Sequence, residues 1–198
     1  MPDLPLREIL LFNDGVFSII NGVIHTVGEL IPWLAAHPSD RGRLEQRDFL
    51  RMAANEALRL HPASPFLIRR TLRETCLPSG TTLAAGEYIV LDLVQASRDP
   101  CVFGDEPDRF DPYRQPRHKN KRTGLAFGDG PHTCIGLNLS MGESGAADRS
   151  EESPPGLLVA LVREFFRAGG DIDPEHPPRW RAFNIRKEYS EFAVRFTS

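Results

Sequence analysis

The residues best suited to chemistry lie in one ten-residue stretch, Phe127-Gly128-Asp129-Gly130-Pro131-His132-Thr133-Cys134-Ile135-Gly136. A cysteine that ligates a metal does so as its thiolate, and glycines around it let backbone N–H groups come close to the sulfur. Such N–H groups stabilise the anion and tune the potential of a bound metal. The competing reading is a buried free cysteine in a glycine turn. The other two cysteines, Cys76 and Cys101, are widely spaced and form no C-x-x-C pair, which fits neither a disulfide framework nor a zinc site. A second constellation, Glu56-Ala57-Leu58-Arg59, spaces a carboxylate and a guanidinium by three residues, so both face one way on a helix. In most helices such a pair is exposed and contributes little.

Hydrophobic periodicity indicates the elements that would position these groups. Over residues 6–36, Val16, Ile19, Ile20, Val23, Ile24, Val27, Leu30, Ile31 and Leu34 recur at three- and four-residue steps, a wide helical stripe interrupted by Asn21-Gly22 and closed by His37-Pro38. A second helix runs from Glu45 to Leu60 with Phe49, Met52, Ala53, Ala57 and Leu60 on its inner side, and Pro62 ends it. Short β-type runs follow at Phe66-Leu67-Ile68 and Glu87-Tyr88-Ile89-Val90-Leu91, split by Pro78-Ser79-Gly80 and Ala85-Gly86. From Ser97 to Lys121 only turn chemistry is legible. Residues 140–156, poor in large apolar groups and rich in Ser, Gly, Glu and Pro, read as a flexible insertion. Leu157, Leu158, Leu161, Val162, Phe165 and Phe166 give a further helix that Gly169-Gly170 stops, and Phe183, Ile185, Phe192, Val194 and Phe196 read as a terminal hairpin.

Composition excludes several classes. With 40% hydrophobic and 26% charged residues the 198-residue chain is neither wholly disordered nor a bundle of membrane spans. A net charge of −3 gives no basic excess that would point to nucleic acid. Met1-Pro2-Asp3-Leu4-Pro5 lacks the pattern of a secretory signal, and Asn13, Asp14, Asn21, His25 and Glu29 make the first helix too polar to span a bilayer. The expectation is a reduced, cytoplasmic protein with no membrane and no nucleic-acid partner.

The Phe127–Gly136 stretch resembles the haem-binding loop of the cytochrome P-450 family, matched at Phe127, Gly128, Gly130, His132, Cys134 and Gly136. The resemblance implies haem b as cofactor, Cys134 as its axial ligand, and Phe127, Gly128, Gly130 and Gly136 as the loop around it. It also implies propionate contacts from His132 and Arg70, with Arg69 as the register alternative for Arg70. The family carries a Glu-x-x-Arg on a helix before this loop, and here Cys134 follows Arg59 by 75 residues, a family-like interval. Pro107-Asp108-Arg109-Phe110 resembles the segment whose arginine completes a buried Glu–Arg–Arg cluster, so Glu56, Arg59 and Arg109 are expected to lock the loop that holds Cys134.

The implied fold is α+β, mainly α. It is the C-terminal part of the cytochrome P-450 fold: distal helix, Glu-x-x-Arg helix, small sheets, meander, cysteine loop, interrupted post-cysteine helix and terminal hairpin. It would form one haem-binding domain over residues 1–198, truncated at the N-terminus relative to the longer members of the family. Two departures stand out. Counting back from His37-Pro38 places the family's distal acid–threonine pair at Asn21 and Gly22, neither an acid nor an alcohol. The helix after the cysteine, begun at Ile135-Gly136-Leu137-Asn138-Leu139, dissolves into the insertion. The implied activity is O2- and electron-dependent hydroxylation of a small apolar substrate. An electron donor such as a ferredoxin or flavin reductase is expected near the basic run Arg114–Arg122. The Asn21-Gly22 change suits instead an isomerising, dehydrating or peroxide-driven haem-thiolate enzyme, and the interrupted helix suits a catalytically silent remnant or interaction domain.

Overall fold

The periodic stripe of the first helix becomes a core in the computed structural model, which describes residues 6–117, 121–142, 155–181 and 188–197, with side chains from Gly15 on. Helix α1 (Leu6–Ala36) stops where Pro38 disfavours helical geometry at His37. A 3-10 turn (Pro38–Arg43) leads into α2 (Arg47–Leu60), which ends before Pro62. Strands β1 (Phe66–Arg70), β2 (Thr75–Cys76), β3 (Thr82–Leu83) and β4 (Tyr88–Asp92) make two nested antiparallel pairs, β1 with β4 and β2 with β3. Two short helices follow, α3 (Leu93–Ala96) and α4 (Pro100–Phe103), capped by Asp92 and Asp99, whose carboxylates accept from Gln95 N and Cys101 N. Beyond the irregular meander lie α5 (Leu137–Met141), α6 (Leu157–Arg167) and strands β5 (Gly170–Ile172), β6 (Arg179–Trp180), β7 (Tyr189–Glu191) and β8 (Val194–Phe196).

Three helices meet in the core. Val27, Leu30 and Leu34 of α1 pack with Phe49, Leu50, Ala53, Ala57 and Leu58 of α2 and with Leu158, Val159 and Val162 of α6. Alanines at 53, 54 and 57 let α2 run through this core buried nearly all round. Gly22 marks the closest approach: a Cβ there would sit 2.5 Å from Leu158 Cδ1 and 3.3 Å from Leu58 Cδ2.

The structure modifies four expectations. The α1 stripe is buried only toward its C-terminal end, whereas Val16 and Ile20 are exposed. Gly15–Ala36 is long and apolar enough to cross a membrane by length and composition. The polar residues read as forbidding this are in part internal, since His25 and Thr26 are buried and Thr26 Oγ1 donates to Gly22 O. Ser140 and Met141, read as the start of a flexible insertion, are helical and buried; residues 143–154 lie outside the described residues. In place of a simple terminal hairpin, β7 pairs with β6 and β8 with β5, because each strand finds its partner upstream of the turn. Phe183 and Ile185 lie outside the described residues.

Candidate functional site

Cys134 is exposed, which disposes of the buried free cysteine. Its N–H donates to Phe127 O at 2.8 Å, closing the loop whose glycines turn it: Gly128 and Gly130 have φ of +68° and +66°, where a side chain would be strained. Gly128 N–H donates to Leu125 O, and a Cβ on Gly128 would meet His132 O at 3.4 Å. Lys121 Nζ braces the outer side, donating to Asp129 Oδ1 at 2.6 Å and to Gly128 O at 3.3 Å. Its ammonium holds the Asp129 carboxyl below the ordinary aspartate range. Gly136 precedes α5, and a Cβ there would lie 3.6 Å from Cys134 Sγ. Phe127 packs half-buried against the helical core.

Behind this loop, Glu56 and Arg59 form no surface pair: their side chains are 4% and 0% exposed. The guanidinium grips the carboxylate with two parallel bonds, Nε to Oε2 at 2.8 Å and Nη2 to Oε1 at 2.7 Å. Its Nη1 donates to Ser97 O at 2.7 Å, and Ser97 Oγ accepts the N–H of Leu125 at 3.2 Å, two residues from the carbonyl that holds Cys134. Gly124 (φ +56°) passes so close to Ser97 that a Cβ would lie 2.6 Å from its Oγ. The cluster therefore fixes the base of the cysteine loop through one serine.

The third member of the cluster is Arg114, and the expectation for Arg109 is corrected. Arg109 is exposed and pairs with Glu106 at 3.2 Å, one helical step away. Arg114 Nε instead donates to Glu56 Oε1 at 2.8 Å, while its Nη groups donate to the carbonyls of Phe103, Asp105, Glu106 and Arg109. One fork thus neutralises Glu56 and satisfies the inward carbonyls of the meander turn.

Strand register puts Arg69 and Arg70 on opposite faces of the sheet. Arg70 pairs with Tyr88, Ile68 with Val90 and Phe66 with Asp92, so Arg70 shares a sheet face with the exposed Phe66, Ile68, Tyr88 and Val90, while Arg69 is on the other face. Arg70 Nε donates to Gly86 O at 3.2 Å and its guanidinium lies over the Tyr88 ring at 5.6 Å. His132 is exposed at the end of the 3-10 turn Gly130–His132.

A family model described as cytochrome P450 matches residues 38–147, more than half of the chain and all of the loop, the cluster and the sheet just described. The chain belongs to the cytochrome P450 family. Among curated P450s it is 36% identical over 104 residues to human cytochrome P450 4F12, covering 50% of this chain and 20% of that protein. With the alkane hydroxylase MAH1 of Arabidopsis thaliana it shares 28% identity over 152 residues, 65% of this chain and 31% of the relative. Solved structures agree on the fold. Substrate-free CYP109E1 from Bacillus megaterium superposes with a TM-score of 0.71 at 22% identity, over 95% of this chain and 43% of its own. HmtT, involved in himastatin biosynthesis, gives a TM-score of 0.64 at 28% identity over 90% and 40%. The chain thus spans a minority of each relative's length.

P450s bind haem b, and the residues here fit that cofactor. Cys134 is accessible, and three elements carry uncovered apolar groups: Ile135 and Leu139 after the thiol, Phe66, Ile68 and Val90 on the sheet, Phe17 and Ile20 on α1. An apolar, anionic-edged ligand would cover such groups and meet Arg70 at their border.

The structure treats Asn21 and Gly22, where the acid–threonine pair was expected, differently. Gly22 is buried and packs against Leu58 and Leu158, so its lack of a side chain serves helix contact, and α1 continues unbroken through it. Asn21 is half-buried and lines a small hollow. The basic run is likewise divided: Arg114 is buried in the cluster, Lys121 is paired with Asp129, and Arg122 donates to Gln115 Oε1 at 2.7 Å. Lys119 lies outside the described residues.

One anchoring group escaped the sequence reading. Asp40, just after α1, accepts from Trp33 Nε1 at 2.8 Å and from Tyr113 Oη at 2.6 Å, tying the end of α1 to the meander. Burial pushes its carboxyl up, but the bonds from Tyr113 and Trp33 outweigh that and hold it below the usual aspartate value of 3.8.

Proposed function

We propose that this chain is the haem-holding part of a monooxygenase, folded as one domain over residues 1–198, with Cys134 as the axial ligand. The observation carrying this reading is the accessible thiol on a glycine loop tied through Ser97 and Arg59 to buried Glu56. When bound, haem supplies activation of dioxygen for hydroxylating an apolar substrate. Cys134 donates electron density, the Phe127–Gly136 loop keeps the sulfur presented, and Glu56, Arg59 and Arg114 keep the loop in place. Arg70 and His132 bind the propionates. Electrons come from a ferredoxin or flavin reductase docking near the basic run Arg114–Arg122. The protein works in the cytoplasm, with the C-terminal part of α1 packed against α2 and α6.

A second reading keeps the haem and replaces oxygen with peroxide, favoured by Gly22 being taken up in helix packing. Loading the chain with haem, reducing it and adding carbon monoxide tests both. A red-shifted thiolate–carbonyl Soret band is expected, lost in Cys134→His and kept in Cys76→Ser. No such band in the parent chain rejects both readings and leaves a catalytically silent interaction domain. Product formed with peroxide but not with reductant and O2 decides for the second.

A further inference from the structure

Where α1 crosses the C-terminal end of α2, the chain buries a polar cluster to which the haem reading gives no task. His61 caps α2, and its Nε2 lies 2.7 Å from Glu29 Oε1 of α1, the His61 side chain being 2% exposed. A carboxylate only accepts, so the neutral ring carries its proton on Nε2 and presents Nδ1 as a bare acceptor. Among the described residues that buried Nδ1 has no hydrogen-bond partner. A buried acceptor is costly to leave unmet, and ordered water is the usual remedy.

Beside the ring is a hollow of about 10 Å³, near the room one water needs. Its wall includes Ser18, Asn21 and Gly22 of α1, together with His61 and Glu188. Glu29, which holds the other ring nitrogen, is not part of that wall. The remaining neighbours fix the ring: His25 stacks on it at 4.3 Å between centroids, and Trp180 lies at 5.9 Å. The charged and titratable groups facing the cluster are Glu29 and His25 from α1 and Glu188 and Tyr189 from the terminal strands. Glu188 is paired with Arg181 at 3.1 Å, and burial with the Glu29 carboxylate pushes the Tyr189 phenol up, so it stays neutral.

We propose that the hollow binds one water between His61 Nδ1 and the Asn21 side chain, and that the Glu29–His61 pair supplies protons to this water beside the distal helix. The place is adjacent to the residues that stand where the P450 acid–threonine pair is missing. In its doubly protonated form the ring would pass the Nδ1 proton to the water while the water, held by Asn21, would give one of its own to the proton acceptor that the bound cofactor presents. The Nε2–H stays on Glu29, the ring ends neutral, and solvent returns the proton. The proton-supplying role rests on the haem reading, whereas the water site does not.

Long-range proton–nitrogen spectra of the full chain without haem test the site. His61 is expected as the Nε2–H tautomer, with a bound-water cross-peak at its ring. Asn21→Leu, which fills the hollow, is expected to abolish the cross-peak with the circular dichroism unchanged. The Nδ1–H tautomer, or a parent ring with no water contact, overturns the proposal. Should Asn21→Leu not fold, a high-resolution crystal structure of the parent chain decides: a water on Nδ1 supports the site and a dry hollow refutes it. In the haem-loaded protein, His61→Phe is expected to raise the share of electrons ending as peroxide about tenfold, with the thiolate–carbonyl band retained. An unchanged share overturns the proton role. A missing carbonyl band in the parent is a failure of the haem reading, and the haem-free spectra are unaffected by it.

Discussion

Arg114 Nε lies 2.8 Å from Glu56 Oε1, across 58 positions of sequence, and the same guanidinium takes up four carbonyls of the turn that carries Arg109. Both arginines belong to one meander, yet only Arg114 is buried with the Glu56 carboxylate, its side chain 9% exposed. Arg114→Ala strands a buried carboxylate and several carbonyls at once, so it is expected to cost about 3–5 kcal/mol. Arg109→Ala, at an exposed pair, should stay within about 0.5 kcal/mol. Urea unfolding of the two variants checks this, and equal losses would overturn the assignment.

Ser97 links the Arg59 guanidinium to the backbone beneath the cysteine loop. Ser97→Ala leaves the half-buried Leu125 N–H without its acceptor, for an expected loss of about 0.5–1.5 kcal/mol. Because the slack falls on the loop presenting Cys134, the fraction of chain holding haem after gel filtration should fall further than it does for a surface variant of equal stability.

Restoring an alcohol on α1 should fail on packing grounds. Gly22→Thr drives a branched side chain against Leu158 Cδ1, 2.5 Å from where its Cβ must be. Overpacking of this kind costs about 1–3 kcal/mol. Gly22→Thr combined with Leu158→Ala should recover part of the loss in thermal denaturation; additive losses would show that the two positions do not meet.

Asp40 sets an acid limit on stability. Its carboxyl is held below 3.8 in the folded chain, so the folded state prefers the ionised form. The stabilisation is therefore fully present above the unfolded value and is lost as pH falls from about 4 through the lower folded value. Asp40→Asn should be less stable at pH 6, and the gap should narrow by pH 3. A gap constant with pH in urea titrations would contradict this.

The post-cysteine helix is interrupted by an excursion whose ends meet. Gly156, at the start of α6, abuts the backbone of Met141 and Gly142 so closely that any Cβ on it would overlap them. Gly156→Ala should accordingly destabilise by about 1–3 kcal/mol. Replacing residues 143–155 by a flexible linker half as long should change stability by only about 0.6 kcal/mol, since closure entropy varies slowly with loop length. Unfolding midpoints of both variants provide the check.

Much of this could be read in the chain because the relevant signals are local. The periodic apolar residues of α1, α2 and α6, the prolines at 38 and 62, and the glycines around Cys134 act through backbone geometry within a few residues. The ten-residue loop motif likewise carried the thiol and the family. Exposure was not local: whether Glu56–Arg59 was a surface pair, and whether Val16 and Ile20 belonged to the core, depended on what the rest of the chain laid against them.

The sequence by itself determined the helices and the turn at the cysteine, since covalent geometry and periodicity dictate these without reference to distant residues. Only the tertiary structure decided which arginine reaches Glu56, which face of β1 carries Arg70, and that Gly22 serves packing while His61 and Glu29 come together beside Asn21. The physical reason is range. A buried charge or an unmet acceptor takes as partner whichever group is close in space, and closeness across 32 or 58 positions is fixed by how three helices pack.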